Sequence, residues 1–381
     1  MRKFLKSVLV AAATLATLSA VAQDVIKVGA VLSTTGGAGY LGAPQEKALQ
    51  MRVEEINKSG GVLGKQLKLF VYDDGSDAAK ANGFAKRLIE NDGVDVVLCG
   101  TTTGSSMAMI PIVEKAKVPF ISCAGGVVVV EPVKPYVFKT ASTDRMQIAR
   151  VYADMNKRGI KRIALISETT GYGQSGRKES QSAALKYGIE IVADESYGAK
   201  DTDMTAQLAK IRAIPNLQAI FVFGAGQGAV VLAKNMAQLG IKTPHYESAS
   251  VATSEYITLS GTAAEGVRVS GTALLIPNKL PDSDPQKKVL MAFAKTYEAK
   301  YKEEASPFGG YAFDALDLYV NAVSRAKSTD KEKVRDALER TSDYVGVSGI
   351  FTMSPTDHMG LDPKSALKLM DIKKGEWSLV D

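Results

Sequence analysis

Residues 94–126 read VDVVLCGTTTGSSMAMIPIVEKAKVPFISCAGG and contain a strand, a helix and a second strand in close succession. The apolar runs Val94–Cys99 and Val118–Cys123 have the length of buried strands, and Ser105–Lys115 between them has the length of a helix. Two strands joined through a helix form a right-handed crossover unit in which the strands are parallel. The stretch therefore predicts a parallel sheet with helices covering its faces.

The same alternation extends in both directions from this stretch and forms two series. The first series begins with four further elements, predicted at Val25–Leu32, Pro44–Asn57, Lys65–Tyr72 and Ala78–Glu90. A proline-containing stretch at 127–140 interrupts the alternation, a second series runs over 146–271, and two more helices follow at Gln286–Tyr301 and Ala312–Arg325. We expect an α/β fold with two similar doubly wound lobes, each built on a parallel central sheet.

The first 22 residues have the pattern of an export signal. Three basic residues within the first six positions precede an apolar run, Val8–Leu18, and Ala20-Val21-Ala22 offers a small-x-small cleavage site. The apolar run is shorter than the roughly 20 residues that a membrane-spanning helix needs. We therefore predict cleavage after Ala22 and a periplasmic location for the mature protein.

Composition and charge limit the classes of function. The 381 residues are 45% hydrophobic and 23% charged, which is typical of a folded chain and excludes disorder. The net charge of +6 falls to +3 without the signal, because the first 22 residues hold three basic and no acidic side chains. A surplus this small, without a cluster of Lys or Arg, argues against a nucleic-acid partner.

Signatures of catalysis and of cofactor binding are weak or missing. His245, His358, Cys99 and Cys123 have no metal-ligand spacing. For the cysteines, two buried thiols are the preferred interpretation, although export also permits a disulfide. The Gly-x-Ser-x-Gly pattern of a hydrolase is absent, and Gly224-Ala-Gly-Gln-Gly228 lacks the spacing of a dinucleotide-binding turn. The sequence thus predicts neither a metal nor a cofactor.

Small polar residues follow two neighbouring strands of the first series. Thr103 and Ser105 come after the strand that ends at Cys99, and Gly125-Gly126 follows the next strand. Ligands of parallel sheets bind beyond the carboxyl ends of the strands, where a helix N-terminus attracts a carboxylate. These loops predict an anion site, and ordinary helix capping by Ser and Thr is the alternative explanation.

Aromatic and cationic side chains occur near the same predicted edge. Tyr40 follows the first strand, Tyr172 follows a strand of the second series, and Phe308 precedes the helix expected from residue 312. These rings either wall a ligand cavity or pack in a core. Arg145 stands at the presumed crossover between the lobes, where it either binds an anion or begins a solvated helix.

Further motifs occur in a fixed order along the chain: Ile26-Lys-Val-Gly-Ala-Val-Leu-Ser33, Gly39-Tyr40-Leu-Gly42, Glu55-Ile-Asn57, Gly60-Gly61-Val-Leu-Gly64-Lys65, Tyr72-Asp-Asp74 and Tyr172-Gly173. In this order and spacing they resemble the leucine/isoleucine/valine-binding type of periplasmic proteins. These proteins are solute receptors of ABC importers and have the type I periplasmic binding protein fold. The resemblance extends from residue 23 to about residue 375.

The resemblance implies two lobes joined by three crossovers, with a ligand enclosed between them. One lobe would comprise residues 24–143 and 275–350, and the other residues 144–274 and 351–381. The family's walls of the side-chain pocket fall on Tyr40, Tyr172 and Phe308.

The resemblance also implies an anchor for a ligand carboxylate. A hydroxyl and backbone amides hold that group in the family, and their roles fall on Thr103 and on the N–H groups of Ala124 and Gly126. Gly125 lets the backbone approach the ligand closely, and Ser105 is the reserve candidate for the hydroxyl. Gly126 replaces a threonine of the family, which removes one donor.

Two departures from the family concern the amine of an amino-acid ligand. A second-lobe tyrosine of the family falls on Gly226 or Gln227, and the carboxylate that binds the amine falls on Ala249. A shift of the alignment by two residues would place Glu247 there instead. Since burial of an unpaired ammonium group is unfavourable, we expect a hydrophobic or aromatic carboxylate without an amine. A branched-chain or other hydrophobic amino acid is the alternative ligand.

These observations predict a monomeric solute-binding protein that delivers a small carboxylate to the membrane permease of an ABC importer, and not an enzyme. A secreted hydrolase that uses the same cleft is one alternative, but it needs a nucleophile–base pair that two poorly placed histidines do not offer. A ligand-responsive repressor is another, but the export signal stands where its DNA-binding segment would lie.

Overall fold

The computed structural model describes residues 25–380, so the predicted export signal lies outside the described residues. Two large sheets organise this part of the chain, as expected for two α/β lobes. No helix within residues 25–380 is long and apolar enough to cross a membrane.

The first sheet has five strands: β1 (Ile26–Leu32), β2 (Leu67–Asp73), β3 (Val96–Cys99), β4 (Phe120–Ser122) and β5 (Val137–Lys139). Its order is β2-β1-β3-β4-β5, and every neighbouring pair is parallel. The connecting helices are α1 (Gly39–Lys58), α2 (Ala78–Arg87) and α3 (Thr103–Ala116). Because helices cover both faces, β3 is buried along its whole length, as its apolar sequence predicts.

The second sheet begins with a similar alternation of helices and strands: α4 (Asp144–Lys157), β6 (Arg162–Glu168), α5 (Gly171–Ala184), β7 (Glu190–Tyr197), α6 (Thr205–Arg212), β8 (Ala219–Phe223), α7 (Gly226–Gln238), β9 (His245–Glu247), α8 (Ser254–Ser260) and β10 (Arg268–Gly271). These five strands pair in parallel in the order β10-β9-β8-β6-β7.

The chain then returns to the first lobe through α9 (Lys287–Tyr301), α10 (Pro307–Ala326), α11 (Lys331–Glu339), β11 (Tyr344–Val345), β12 (Ile350–Phe351) and α12 (Pro363–Ala366). It ends in the second sheet with β13 (Lys368–Lys373) and β14 (Glu376–Leu379), which extend that sheet beyond β10 by antiparallel pairing. The chain therefore passes between the lobes three times: after β5, after β10 and before β13.

The predicted lobe boundary at residue 350 is wrong. Phe351, Met353, Leu361, Ala366 and Leu367 are buried in the core that contains β1 and α10. Residues 351–367 consequently pack with the first lobe, and only β13 and β14 join the second sheet. The other predicted boundaries, at residues 143 and 274, stay predictions.

Two local features differ from the sequence interpretation. β5 lies within the proline-containing stretch 127–140, where the sequence analysis expected the alternation to be interrupted. Three residues after two prolines are too few to give a strand pattern. Phe308 lies in the first turn of α10 rather than before the helix. The side chain of Ser306 accepts a hydrogen bond from the backbone N–H of Phe308, and Pro307 occupies the first turn, where its fixed φ suits a helix.

Threonines fix the starts of three helices at the facing edges of the two sheets. Thr102, Thr143 and Thr170 accept hydrogen bonds from backbone N–H groups in the first turns of α3, α4 and α5. Such caps satisfy N–H groups that the helix itself leaves unpaired. By fixing where α3 and α5 begin, the caps also set the positions of the first helical residues, Thr103 and Gly171, at the cleft.

Candidate functional site

A cavity of about 920 Å³ lies between the carboxyl-terminal edges of the two sheets. Residues that follow β1, β3 and β4 line it from the first lobe, and residues that follow β6, β8 and β9 line it from the second. Seven of the predicted site residues line this cavity: Tyr40, Thr103, Gly125, Tyr172, Gln227, Ala249 and Phe308.

Thr103 is the first residue of α3 and is buried against the cavity. Its Oγ1 accepts a hydrogen bond from the N–H of Gly126 at 3.1 Å. The hydroxyl hydrogen of Thr103 can therefore donate to a ligand, whereas the N–H of Gly126 is already engaged. The predicted role of Gly126 as a direct donor is wrong, and this glycine instead orients the Thr103 hydroxyl.

The N–H of Ala124 and the hydroxyl of Ser105 also form hydrogen bonds within the protein and do not point to a ligand in the cavity. The N–H of Ala124 donates to Oγ of Ser122 at 3.1 Å, and Ala124 packs in the core of the first lobe. Ser105 donates its hydroxyl to Asp74 at 2.7 Å and is fully buried. Neither residue lines the cavity, so both predicted ligand contacts are wrong.

Four aromatic rings form the apolar wall. Tyr40 and Phe308 meet edge to face with ring centroids 5.8 Å apart, and Tyr311 meets Phe308 at 6.1 Å. Tyr172 faces them from the second lobe. Tyr311 was missed by the sequence analysis, although its position one helical turn after Phe308 was the available signal.

Gln147 of α4 organises the second-lobe side and was also missed. Its Oε1 accepts hydrogen bonds from the hydroxyl of Tyr172 at 2.8 Å and from the N–H of Ala249 at 3.0 Å. The side chain is buried and lines the cavity. Sequence patterns offered no signal for it, since these partners lie 25 and 102 residues away along the chain.

The two lobes touch each other across the cavity. The N–H of Gly226 at the start of α7 donates to the hydroxyl oxygen of Tyr40 at 2.9 Å. The backbone of Gly125 lies so close to Tyr172 that an added Cβ would stand 2.5 Å from the ring. The lobes are therefore in a closed arrangement in which residues of both can touch one ligand.

Glu168 is a buried carboxylate of the cavity lining that the sequence analysis missed. It ends β6, is only 5% exposed and lines the cavity. The hydroxyl of Thr170 donates to its Oε2 at 3.0 Å. Burial raises the pKa of its carboxyl above the ordinary value, against the lowering effect of hydrogen bonds from Thr170 and the N–H of Ala225.

The structure places Arg145 and Glu247 away from the cavity. Arg145 lies in the first turn of α4 and forms ion pairs with Glu131 and Glu179, both at 2.7 Å. Of its two alternatives, the start of a solvated helix therefore fits the structure, and the contact with a ligand anion does not. Glu247 is fully buried, and its Oε1 lies 2.9 Å from Nε2 of His245. Because it faces the protein interior, Glu247 does not serve a ligand amine.

The cysteines and histidines give no catalytic or metal-binding arrangement in the described residues. Cys99 and Cys123 are buried free thiols, as preferred from the sequence, and Cys123 lines the cavity. Within residues 25–380, no group of three or more His, Cys, Asp or Glu side chains is placed to hold a metal ion.

Comparison with known proteins places the chain among binding proteins. The profile of the family described as periplasmic binding protein matches residues 25–376. The leucine-, isoleucine-, valine-, threonine- and alanine-binding protein of Pseudomonas aeruginosa is 27% identical over 364 residues, which cover 93% of this chain and 91% of that protein.

Solved structures agree with this placement. An extracellular ligand-binding receptor from Rhodopseudomonas palustris HaA2 has a TM-score of 0.87 and 29% identity, over 94% of this chain and all of that one. A branched-chain amino acid transporter substrate-binding protein from Streptococcus pneumoniae, solved with isoleucine, has a TM-score of 0.82 and 26% identity, over 93% of this chain and 98% of that one.

Proposed function

Because the chain belongs to the periplasmic binding protein family, we propose that it is the solute-binding component of an ABC importer and delivers a small molecule to the membrane permease. Family membership also makes it a binding protein rather than an enzyme. The observation that carries the proposal is the closed cavity, because residues of both lobes line it and the lobes touch across it at Tyr40 and Gly226.

The ligand we propose is a hydrophobic amino acid, with branched-chain amino acids first. The related proteins named above are described as binding leucine, isoleucine and valine or were solved with isoleucine, which favours the amino acid over the amine-free aromatic acid expected from the sequence. The aromatic wall suits an apolar side chain, and Thr103 at the start of α3 suits the carboxylate.

Closure would be the signal that the permease reads. A ligand that touches both lobes makes its full set of contacts only in the closed form, so binding shifts the hinge equilibrium towards closure. The ligand would thus control delivery to the permease by increasing the fraction of the binding protein that is closed.

We further propose that the chain is exported to the periplasm and acts as a monomer. Cleavage after Ala22 predicts that the intact mass of the mature protein begins at Gln23. Recovery of the full-length chain in the inner membrane would contradict this proposal.

A thermal-shift panel tests the ligand class. It compares leucine, isoleucine, valine and phenylalanine with benzoate, phenylglyoxylate and 4-methyl-2-oxopentanoate. A ligand at 100 times its dissociation constant adds about 2.7 kcal/mol to the free energy of unfolding. For a lobe of about 150–250 residues, this raises the melting temperature by roughly 5–10 °C. We expect this rise with an aliphatic amino acid. A rise with the amine-free acids alone would restore the expectation of a hydrophobic or aromatic carboxylate without an amine.

A further inference from the structure

Glu168 stands out among the residues that line the cavity. The other acidic and basic side chains of the lining, Asp77, Lys200 and Asp201, lie at exposed positions. Glu168 is the one charged lining residue of the described chain that is buried. Its carboxylate is therefore the charged group that a ligand deep in the cavity would meet.

The carboxylate of Glu168 has neutral hydrogen-bond donors and no cationic partner. Its contacts are the hydroxyl of Thr170, at 3.0 Å, and the N–H of Ala225. Among the described residues no cationic side chain acts on this carboxyl, since the influences on its pKa are burial, the hydroxyl of Thr170 and the N–H of Ala225. A buried carboxylate without a countercharge is unfavourable, and a cation brought by a ligand would relieve that cost.

The position of Glu168 is complementary to that of Thr103. Thr103 lies on the first lobe at the N-terminus of α3, which attracts a negative group. Glu168 lies on the second lobe, and the two segments adjoin, since a Cβ added at Gly171 would stand 3.4 Å from the backbone nitrogen of Gly104. A zwitterion could therefore bridge the lobes, with its carboxylate on Thr103 and its ammonium group on Glu168.

We propose that Glu168 binds the ammonium group of the ligand and makes the cavity selective for ligands that carry an amine beside their carboxylate. This inference rests on the proposed solute-binding function. It places the amine anchor at the end of β6, rather than after β9, where Ala249 offers no side-chain acceptor.

The test compares ligand pairs that differ only at the amine, by titration calorimetry on the full mature protein. The pairs are leucine with 4-methyl-2-oxopentanoate, and phenylalanine with phenylpyruvate. Glu168→Gln removes the charge and keeps the shape of the side chain. Glu195→Gln is the matched control, because Glu195 lies on β7 outside the cavity and pairs with Lys210.

We expect the wild type and Glu195→Gln to prefer the amine-bearing member of each pair. In Glu168→Gln, affinity for that member should fall roughly 10- to 100-fold, the usual range for a lost charge-assisted contact, while affinity for the oxo acid changes little. A merely structural role would weaken both members equally, and that outcome overturns the inference. An unchanged preference in Glu168→Gln, or a wild type that binds only oxo acids, also overturns it.

The same measurements separate the role of Glu168 from the solute-binding function of the protein. If the wild type binds an amino acid while Glu168→Gln keeps the same preference, the solute-binding function stands and the role of Glu168 falls. If the wild type binds no member of either pair, and no ligand of the thermal-shift panel stabilises it, both fall.

Discussion

The hydrogen bond between Tyr40 and Gly226 should set part of the closure equilibrium. Tyr40 belongs to the first lobe and Gly226 to the second, and the N–H of Gly226 donates to the phenol oxygen at 2.9 Å. Tyr40→Phe removes the acceptor and keeps the ring that packs on Phe308. In the open form the N–H of Gly226 meets water, so the substitution weakens the closed form selectively.

The size of the effect follows from the net value of one hydrogen bond. A contribution of about 0.5–1.5 kcal/mol corresponds to a 2- to 12-fold change in the closure constant. When the unliganded protein is mostly open, the apparent dissociation constant rises by the same factor. We therefore expect Tyr40→Phe to bind its ligand about 2- to 12-fold more weakly, with its unliganded stability unchanged.

Small-angle scattering measures the closure of the lobes, and titration calorimetry measures the affinity for the ligand. The radius of gyration of Tyr40→Phe should fall towards the closed value only at higher ligand concentration than in the wild type. Tyr152→Phe is the control, since it removes a hydrogen bond to Ser180 inside the second lobe. Equal affinity and equal closure in Tyr40→Phe and the wild type would refute the role of this contact.

Four further substitutions test two positions of the site, Thr103 and Gly125, and the buried Lys139 at the end of β5. Thr103→Ala should weaken ligand binding about 10- to 100-fold in calorimetry. Thr103→Ser keeps the hydroxyl that Gly126 orients and should bind the ligand nearly as tightly as the wild type. An equal loss of affinity in both variants would show that the hydroxyl does not contact the ligand. Gly125→Ala should block closure, because its Cβ would stand 2.5 Å from the ring of Tyr172. We expect binding to weaken at least about 10-fold, the affinity equivalent of an overpacked contact, while the urea midpoint in the absence of ligand stays unchanged; normal affinity would contradict this. Lys139→Met should abolish a rise of unfolding free energy with pH: burial lowers the pKa of Lys139 from 10.5 to about 7, so between these values the unfolded chain holds more protons and stability increases with pH. Urea midpoints of wild type and variant at pH 7 and pH 9.5 measure that difference, and parallel pH profiles would count against it.

The architecture can be predicted from the amino-acid sequence, because the signals for it are local. Apolar runs of strand length alternate with helical periodicity, and glycines and prolines separate them, so the two α/β series were predicted close to their observed bounds. Residues at strand ends were predicted near a cleft for the same reason, since parallel strands deliver their carboxyl ends to one edge. Tyr40, Thr103, Gly125 and Tyr172 follow from that rule alone.

Which polar groups are free to contact a ligand follows from the packing of the folded chain and not from local sequence. The N–H groups of Ala124 and Gly126 looked available in the sequence, and both are taken by side chains, one of them 23 residues away. Gln147 and Glu168 gave no local signal, because their place in the cavity depends on how α4 and β6 pack against the rest of the molecule. Short segments such as β5 were likewise undetermined. Whether a donor or acceptor already has a hydrogen-bond partner within the protein depends on contacts between residues that are distant in the chain. Local sequence patterns do not predict such contacts.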